Sequence, residues 1–421
     1  MVPEGWDTAP ISEAIQLHLN SISTDKLAGF ASVRLYSLPA FDVDKEPKKT
    51  HGSSIKSGKN KVPPDCVLLS KLNPRIPRIW RVRHDSIQPA VCSTEFWPIT
   101  SRGGKVDLDY LTQYFYSPLF LDNPLIRPAS STNSHQRIDR SAFLRFLLPL
   151  PPLPEQKKIA AILGSVDKAI QATQAVIDQT RKVKQGLLQQ LLTRGIGHTH
   201  FKQTEIGEIP EEWKVCKIGE LSDFVTSGSR GWAQYYAESG SLFVRITNLF
   251  RGTTDIDLSD VKYVALPPDS TEGKRTQLLP GDVLVSITAD LGLIGVVPDV
   301  GLGEAYINQH IALVRPKKTK VQAAFLGYAL ISDAVQNCLW RSNDSGSKAG
   351  LNLPSVRKIQ IALPPLEEQR EISIRLSAVG LTISENKKML GNLKSLKKGL
   401  MQDLLTGRVR VGGAEFAQKA I

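Results

Sequence analysis

Leu150-Pro-Pro-Leu-Pro-Glu-Gln156 returns later in the chain as Leu363-Pro-Pro-Leu-Glu-Glu-Gln369, at an offset of 213 residues (363 minus 150). The offset then persists without a gap for about forty residues, a run that chance does not keep in register. Lys184-Gln-Gly-Leu-Leu-Gln-Gln-Leu-Leu-Thr193 thereby meets Lys397-Lys-Gly-Leu-Met-Gln-Asp-Leu-Leu-Thr406. The chain is a duplication.

The likeness continues, more weakly, upstream of each block. Pro3-Glu-Gly-Trp6 matches Pro210-Glu-Glu-Trp213, Ile11 and Glu13 match Ile218 and Glu220, and Pro64-Asp-Cys-Val-Leu-Leu-Ser70 matches Pro280-Gly-Asp-Val-Leu-Val-Ser286. The plan is globular, helical, globular, helical. Boundaries are expected near 149, 200 and 362, dividing the chain into 1–149, 150–200, 201–362 and 363–421. Arg194-Gly-Ile-Gly-His-Thr199 is the glycine-bearing exit from the first helical block.

After Pro154, a residue suited to a first helical turn, Ile159, Leu163, Val166, Ile170, Thr173, Ile177 and Thr180 alternate spacings of four and three. Ile372, Leu376, Val379, Ile383, Asn386, Leu390 and Leu393 draw the same heptad seam in the second copy. Thr173 and Asn386 break the apolar line at corresponding places, and a polar seam residue trades stability for register. A helix of roughly 38 residues reaches about 57 Å, long for an element of one compact domain. Two arrangements satisfy these seams: each helix packed on its own half, or the two joined as an antiparallel pair. Pairing is the expected one.

Composition fits several globular units: 421 residues, 41% of them hydrophobic. The net charge of +12 favours a polyanionic partner such as nucleic acid without demanding one. Cys66, Cys92, Cys216 and Cys338 never approach zinc or thioredoxin-like spacing and are expected as reduced, buried thiols. No leader pattern opens the sequence and no apolar run reaches roughly 18 residues, so no membrane association and a cytoplasmic location are expected.

Both globular regions read as mixed α/β, with short β-rich runs at Cys66-Val-Leu-Leu69, Asp282-Val-Leu-Val-Ser-Ile287 and Ile311-Ala-Leu-Val314. A helix capped by Asp107 carries the aromatic cluster from Tyr110 to Phe120, which its helical spacing makes a core face rather than a base-stacking platform. Lys71, Arg75, Arg78, Arg81 and Arg83 share an acid-free stretch with Trp80, and guanidinium forks suit phosphates and guanine edges; a solvated rim is the other reading. Lys45 to Lys61 reads as a flexible basic loop able to order on a nucleic-acid backbone, or as an idle insertion. In the second half Arg230, Gln234, Arg245, Asn248 and Arg251 are candidates to read base edges. Arg341-Ser-Asn-Asp-Ser-Gly-Ser-Lys348 aligns with Pro128-Ala-Ser-Ser-Thr-Asn-Ser-His135, and both are phosphate-contacting loops or plain turns.

Catalytic patterns are missing. Gly52-Ser-Ser-Ile-Lys-Ser-Gly58-Lys59-Asn60 imitates a nucleotide-binding loop but has five residues between its glycines and Asn where magnesium needs Ser or Thr. His198 and His200 have no neighbouring ligand set. No Asn-Pro-Pro-aromatic motif and no Gly-x-Gly cofactor loop occur, so no catalytic residue and no metal or cofactor site is assigned.

The order of these features resembles the specificity subunit of type I restriction-modification enzymes. Pro-Leu-Pro-Pro-Leu-x-Glu-Gln opens a long helix twice, each time after a variable region and before Leu-Leu-Thr. Ile206-Gly-Glu-Ile-Pro-Glu-Glu-Trp213, Gly281-Asp-Val-Leu284, Gly350-Leu-Asn-Leu353, Leu72-Asn-Pro-Arg75 and Ser93-Thr-Glu-Phe-Trp97 add to the match. The resemblance implies an α+β protein with two pseudo-symmetric target-recognition domains, separated by two long helices, conserved in the family, that form an antiparallel coiled coil. It implies that each domain reads half of a split site in double-stranded DNA. The helices space the halves and dock two methyltransferase (modification) subunits, which carry S-adenosylmethionine, while restriction/motor subunits join for cleavage. Two local departures are Cys66, where the second half has Asp282, and the lack of an Ile-Gly-Glu-Ile preamble before Pro3.

Overall fold

A computed structural model describes residues 3–85, 88–127, 136–228, 230–267, 273–341 and 350–411. It divides into two compact units, Met1–Ala175 with Lys388–Ile421, and Val176–Lys387. The duplicated sequence folds into duplicated topology. In the first unit a four-stranded antiparallel sheet runs Ile15–Leu17, Phe96–Ser101, Asp65–Ser70, Ile79–Arg83. The second unit repeats it with Ser222–Ser227, Ile311–Pro316, Val283–Ser286 and Ile294–Val296.

The β-rich runs named from sequence are the interior strands of these sheets. They lack polar alternation because both faces are covered. Val67 and Leu69 join the core with Trp6, Ile11 and Tyr110, while Cys66 and Leu68 enter a second core with Trp80 and Phe96. Val283 and Val285 face one core of the second unit, and Leu284 faces another. The Tyr110-to-Phe120 cluster is likewise buried in the core.

A second sheet in each unit contains a parallel pair: Val33–Tyr36 with Ala90–Cys92, and Ser241–Val244 with Ala305–Ile307. In the first unit this sheet has five strands, and the stretch expected as a flexible loop supplies two of them. Lys48–Thr50 is an edge strand on Val33–Tyr36, and Lys59–Lys61 pairs with Ser21–Ile22 and Ala90–Cys92. Gly52, whose neighbours mimic a phosphate loop, lies instead where a Cβ would fall 1.7 Å from the Leu27 carbonyl oxygen. Close backbone approach is what requires glycine there.

The helical blocks form Leu153–Thr193 and Leu366–Leu404. Within the first unit, the start of the first long helix meets the end of the second: Ile159 and Leu163 share a core with Met401, Leu404 and Leu405, and Lys397 Nζ lies 2.6 Å from Asp167. Within the second unit the opposite ends meet, with Leu191 and Leu192 in one core with Ile372 and Leu376. The segments therefore pair head to tail in both units. Val166, Ile177, Ile383 and Leu390 are also buried, and Ile170, Val379 and Leu393 are half-buried. Thr173 and Asn386 each bond a carbonyl of their own helix, Ala169 and Thr382, so neither reaches a partner with that bond.

The cysteines differ from expectation. Cys66 and Cys92 are buried, Cys216 is half-buried, and Cys338 is exposed. Cys338 sits on the amphipathic helix Asp333–Arg341, which turns Val335 and Leu339 inward and leaves its other face to solvent. Among the described residues no helix is long and apolar enough to cross a membrane, and no cluster of His, Cys, Asp and Glu could hold a metal ion.

Candidate nucleic-acid interface

Each globular region is fastened to its long helix by the Glu-Gln pair that ends the repeated motif. Gln156 Oε1 accepts the Asp107 N–H at 2.7 Å, and Gln156 Nε2 donates to the Pro151 and Lys105 carbonyls. Gln369 repeats the pattern, accepting from the Gln322 N–H and donating to Pro364 and Lys320. Both amides thus tie the long helix to the residue that caps an aromatic-rich helix of the globular region, Leu108–Phe115 or Ala323–Ile331.

The glutamates close the other side. Glu155 accepts the Trp6 indole N–H at 3.0 Å and a two-pronged contact from Arg410, Nε and a terminal nitrogen both at 2.9 Å. Burial pushes the Glu155 carboxyl up, but hydrogen bonds from Arg410, Trp6 and the Val411 N–H together outweigh it, and the group is held below its ordinary range. Glu368 accepts the Trp213 indole N–H at 2.9 Å, and His198 Nε2 takes the place of the guanidinium at 2.9 and 3.0 Å. The sequence marks these positions by repeating them, but not what they bind.

Asp282, 1% exposed, is paired by both prongs of Arg315 in the second unit. In the corresponding register the first unit has Cys66 and Thr100, so the acid and its base are absent together. An unpaired buried charge is thereby avoided.

The candidate DNA contacts fall into distinct settings. Arg78 makes a two-pronged pair with Asp42, Arg81 is held by Asp65 and Asp109, and Arg83 also reaches Asp109. The stretch is acid-free only in sequence, because the fold brings acids from elsewhere. Lys71 and Arg75 lie on the turn after strand Asp65–Ser70, Lys71 half-buried and Arg75 exposed. Trp80 packs on Tyr36 and Phe41 in the core.

In the second unit Asn248, expected to read a base edge, is 2% exposed: its amide donates to the Asp257 and Asp260 carbonyls and accepts from the Arg245 N–H. Arg245 pairs with Asp260, and Arg251 with Asp290 and Gln336. Arg230 and Gln234 are exposed around the short turn Trp232–Tyr235, which Trp232 anchors by stacking on Phe243 with ring centroids 5.2 Å apart. Lys348, with 342–349 and 128–135, lies outside the described residues. Arg230 and Gln234 are therefore the best presented of the second-half candidates. Lys45 and Lys49 fall in the basic stretch Lys45 to Lys61, whereas nothing in the sequence singles out Arg34; strand pairing, not sequence spacing, brings Arg34 beside Lys49.

A family model for the type I restriction modification DNA specificity domain matches residues 83–180 and 210–394. The chain is 30% identical over 310 residues to the type I restriction enzyme MjaVIII specificity subunit of Methanocaldococcus jannaschii, covering 72% of this chain and 71% of that one. Among solved structures it is similar to the S subunit of a type I restriction-modification system from M. genitalium, with TM-score 0.59 at 14% identity, over 95% of this chain and 96% of that one. A chain from a structure concerned with complex assembly and conformational transition of the type I R-M system gives TM-score 0.57 at 20% identity, over 97% and 100%. At these identities the two structures speak for the fold.

Proposed function

This chain belongs to the family of type I restriction-modification DNA specificity proteins, and from that premise we propose that it reads a bipartite site in double-stranded DNA for a complex whose other subunits do the chemistry. Each globular region takes one half-site. The long helices set the distance between halves and dock two modification subunits, which carry S-adenosylmethionine; restriction/motor subunits add cleavage to the same address, in the cytoplasm.

The observation that best supports this reading is the doubled architecture: one sheet topology, one Glu-Gln fastening and one Trp-Glu bond, each present twice. A split site needs two similar readers. Phosphate contacts position such a reader and base-edge contacts give it sequence. The surfaces that differ between the repeats, around Lys71–Arg83 and Arg230–Gln234, suit readers of different half-sites.

Co-expression with the cognate modification subunit, followed by mapping of methylated adenines across a genome, tests the proposal. The expected result is a two-part motif, of which replacement of residues 1–149 alters one part only. Methylation without sequence preference would leave an interaction scaffold instead.

A further inference from the structure

Strand Lys48–Thr50 is the free edge of the five-stranded sheet, and its pairing with Val33–Tyr36 sets Lys49 directly opposite Arg34. Between this edge and the end of strand Ile79–Arg83 lies a cleft of about 410 Å³. Arg34, Lys45, Lys49, Arg83 and His84 line it, and Glu46 is the single acid among its described lining residues. Arg34 and Arg83 are each oriented by an aspartate, Asp85 and Asp109. Lys45 and Lys49 are exposed, and neither forms an ion pair among the described residues. Lys45 is nonetheless ordered: its N–H bonds the Ala40 carbonyl, its φ is +57°, and its ammonium lies 5.1 Å from the centre of the Phe41 ring.

The second unit has a cleft on the corresponding strand pair but with a different third wall: it lies between strands Ser241–Val244 and Lys262–Val264 and the loop leading to Ala305–Ile307, not against Ile294–Val296, the counterpart of Ile79–Arg83. Its volume is about 450 Å³. Among its described lining residues there is no cation, and the one charged residue is Glu304, which accepts the Tyr306 hydroxyl at 2.5 Å. The clefts on this strand pair therefore differ in both their walls and their charge.

Resting on the DNA-reading role proposed above, we infer that the cleft of the first globular region grips a backbone phosphate of the duplex through Lys45 and Lys49. Ammonium groups and a guanidinium around an open cleft match the charge and acceptor oxygens of a phosphodiester. A stacked base is the poorer fit. Tyr36 and Trp80, the aromatic residues of the lining, are 3% and 7% exposed and offer no free ring face.

The test measures binding of the full chain, assembled with its modification subunits, to a 40-base-pair duplex carrying the methylated motif, across a salt series. Each phosphate contact contributes about 0.9 to the slope of log affinity against log salt. Lys45→Gln with Lys49→Gln should lower that slope by about 0.9 and weaken binding at 0.1 M salt roughly tenfold, with the methylated motif unchanged. Lys49→Arg should keep the parent slope. If the double variant melts lower than its parent, Lys49→Gln alone is read, with a smaller fall in the same direction expected. A parent complex that binds this duplex no better than bulk DNA overturns the DNA-reading role and this inference with it. A parent that binds tightly, with variants of unchanged slope, overturns the inference alone. So does a double variant that changes the motif, since a contact to phosphate carries no base information.

Discussion

Trp6 and Glu155, 149 positions apart in sequence, are joined by a 3.0 Å hydrogen bond, with Arg410 completing the carboxylate's coordination from the far end of the chain. Glu155→Ala would leave the indole N–H and the guanidinium without their acceptor. The expected loss is about 2–3 kcal/mol, below the ~3–5 kcal/mol of a fully buried pair because Arg410 keeps part of its side chain in water. Thermal melting of the variant checks it. Because the Glu155 carboxyl is held below its ordinary value when folded, its contribution is present above the unfolded value near 4.5 and is lost as pH falls through the lower, folded one. The parent should therefore lose stability on acidification in that range, and Glu155→Ala should lose less.

Gln369→Glu keeps shape but removes the donor that serves the Pro364 and Lys320 carbonyls. Gln369 is fully buried, so a carboxylate there faces two carbonyl oxygens. Its folded pKa is expected to rise, which makes the deficit grow as pH climbs above the unfolded glutamate value. Melting curves at pH 5 and pH 8 should show the larger gap from the parent at pH 8.

Gly52→Ala places a methyl group inside contact distance of the Leu27 carbonyl oxygen. The Thr24–Ala28 helix and the Gly52–Ser54 turn must separate to admit it, at a cost of roughly 2–4 kcal/mol. Urea unfolding measures this, and an unchanged midpoint would refute the packing role assigned to this glycine.

Thiol alkylation at pH 8 should mark Cys338 first, since it is exposed. Cys66 and Cys92 should resist until unfolding: burial pushes the Cys66 thiol up to about 12, and Cys92 moves in the same direction. Peptide mass spectrometry after timed labelling gives the order.

Four residues inserted in one long helix add about 6 Å at 1.5 Å per residue, close to two base pairs at roughly 3.4 Å each. The methylated motif should keep both halves and widen its gap. Changed bases within either half would remove the spacer role of the helices.

Sequence and structure agree where periodicity carries the signal. The 213-residue repeat marks both long helices, and the unbroken apolar runs mark strands covered on both faces. Lys48-Lys49-Thr50 reads as loop rather than strand because an edge strand this short, with two lysines, shows no alternation of apolar residues. The arginines of Lys71–Arg83 looked unneutralised because Asp42 and Asp109 lie 36 and 28 positions from Arg78 and Arg81. Asn248 has the chemistry of a base reader, and only its buried bonds show that it braces a loop. Local composition identifies a side chain's capabilities; the fold decides whether they are already engaged.

The bond network at Glu155 also bears on the order of events at the ribosome. The second compact unit ends at Lys387, whereas the first needs Lys388 onward, including Arg410, before it can close. With synthesis at about 5–20 residues per second, the half translated first is the half completed last. Nascent chains cut short before Arg410 would carry a finished second module and an open first one, exposing the Trp6 side of its core to quality-control proteases.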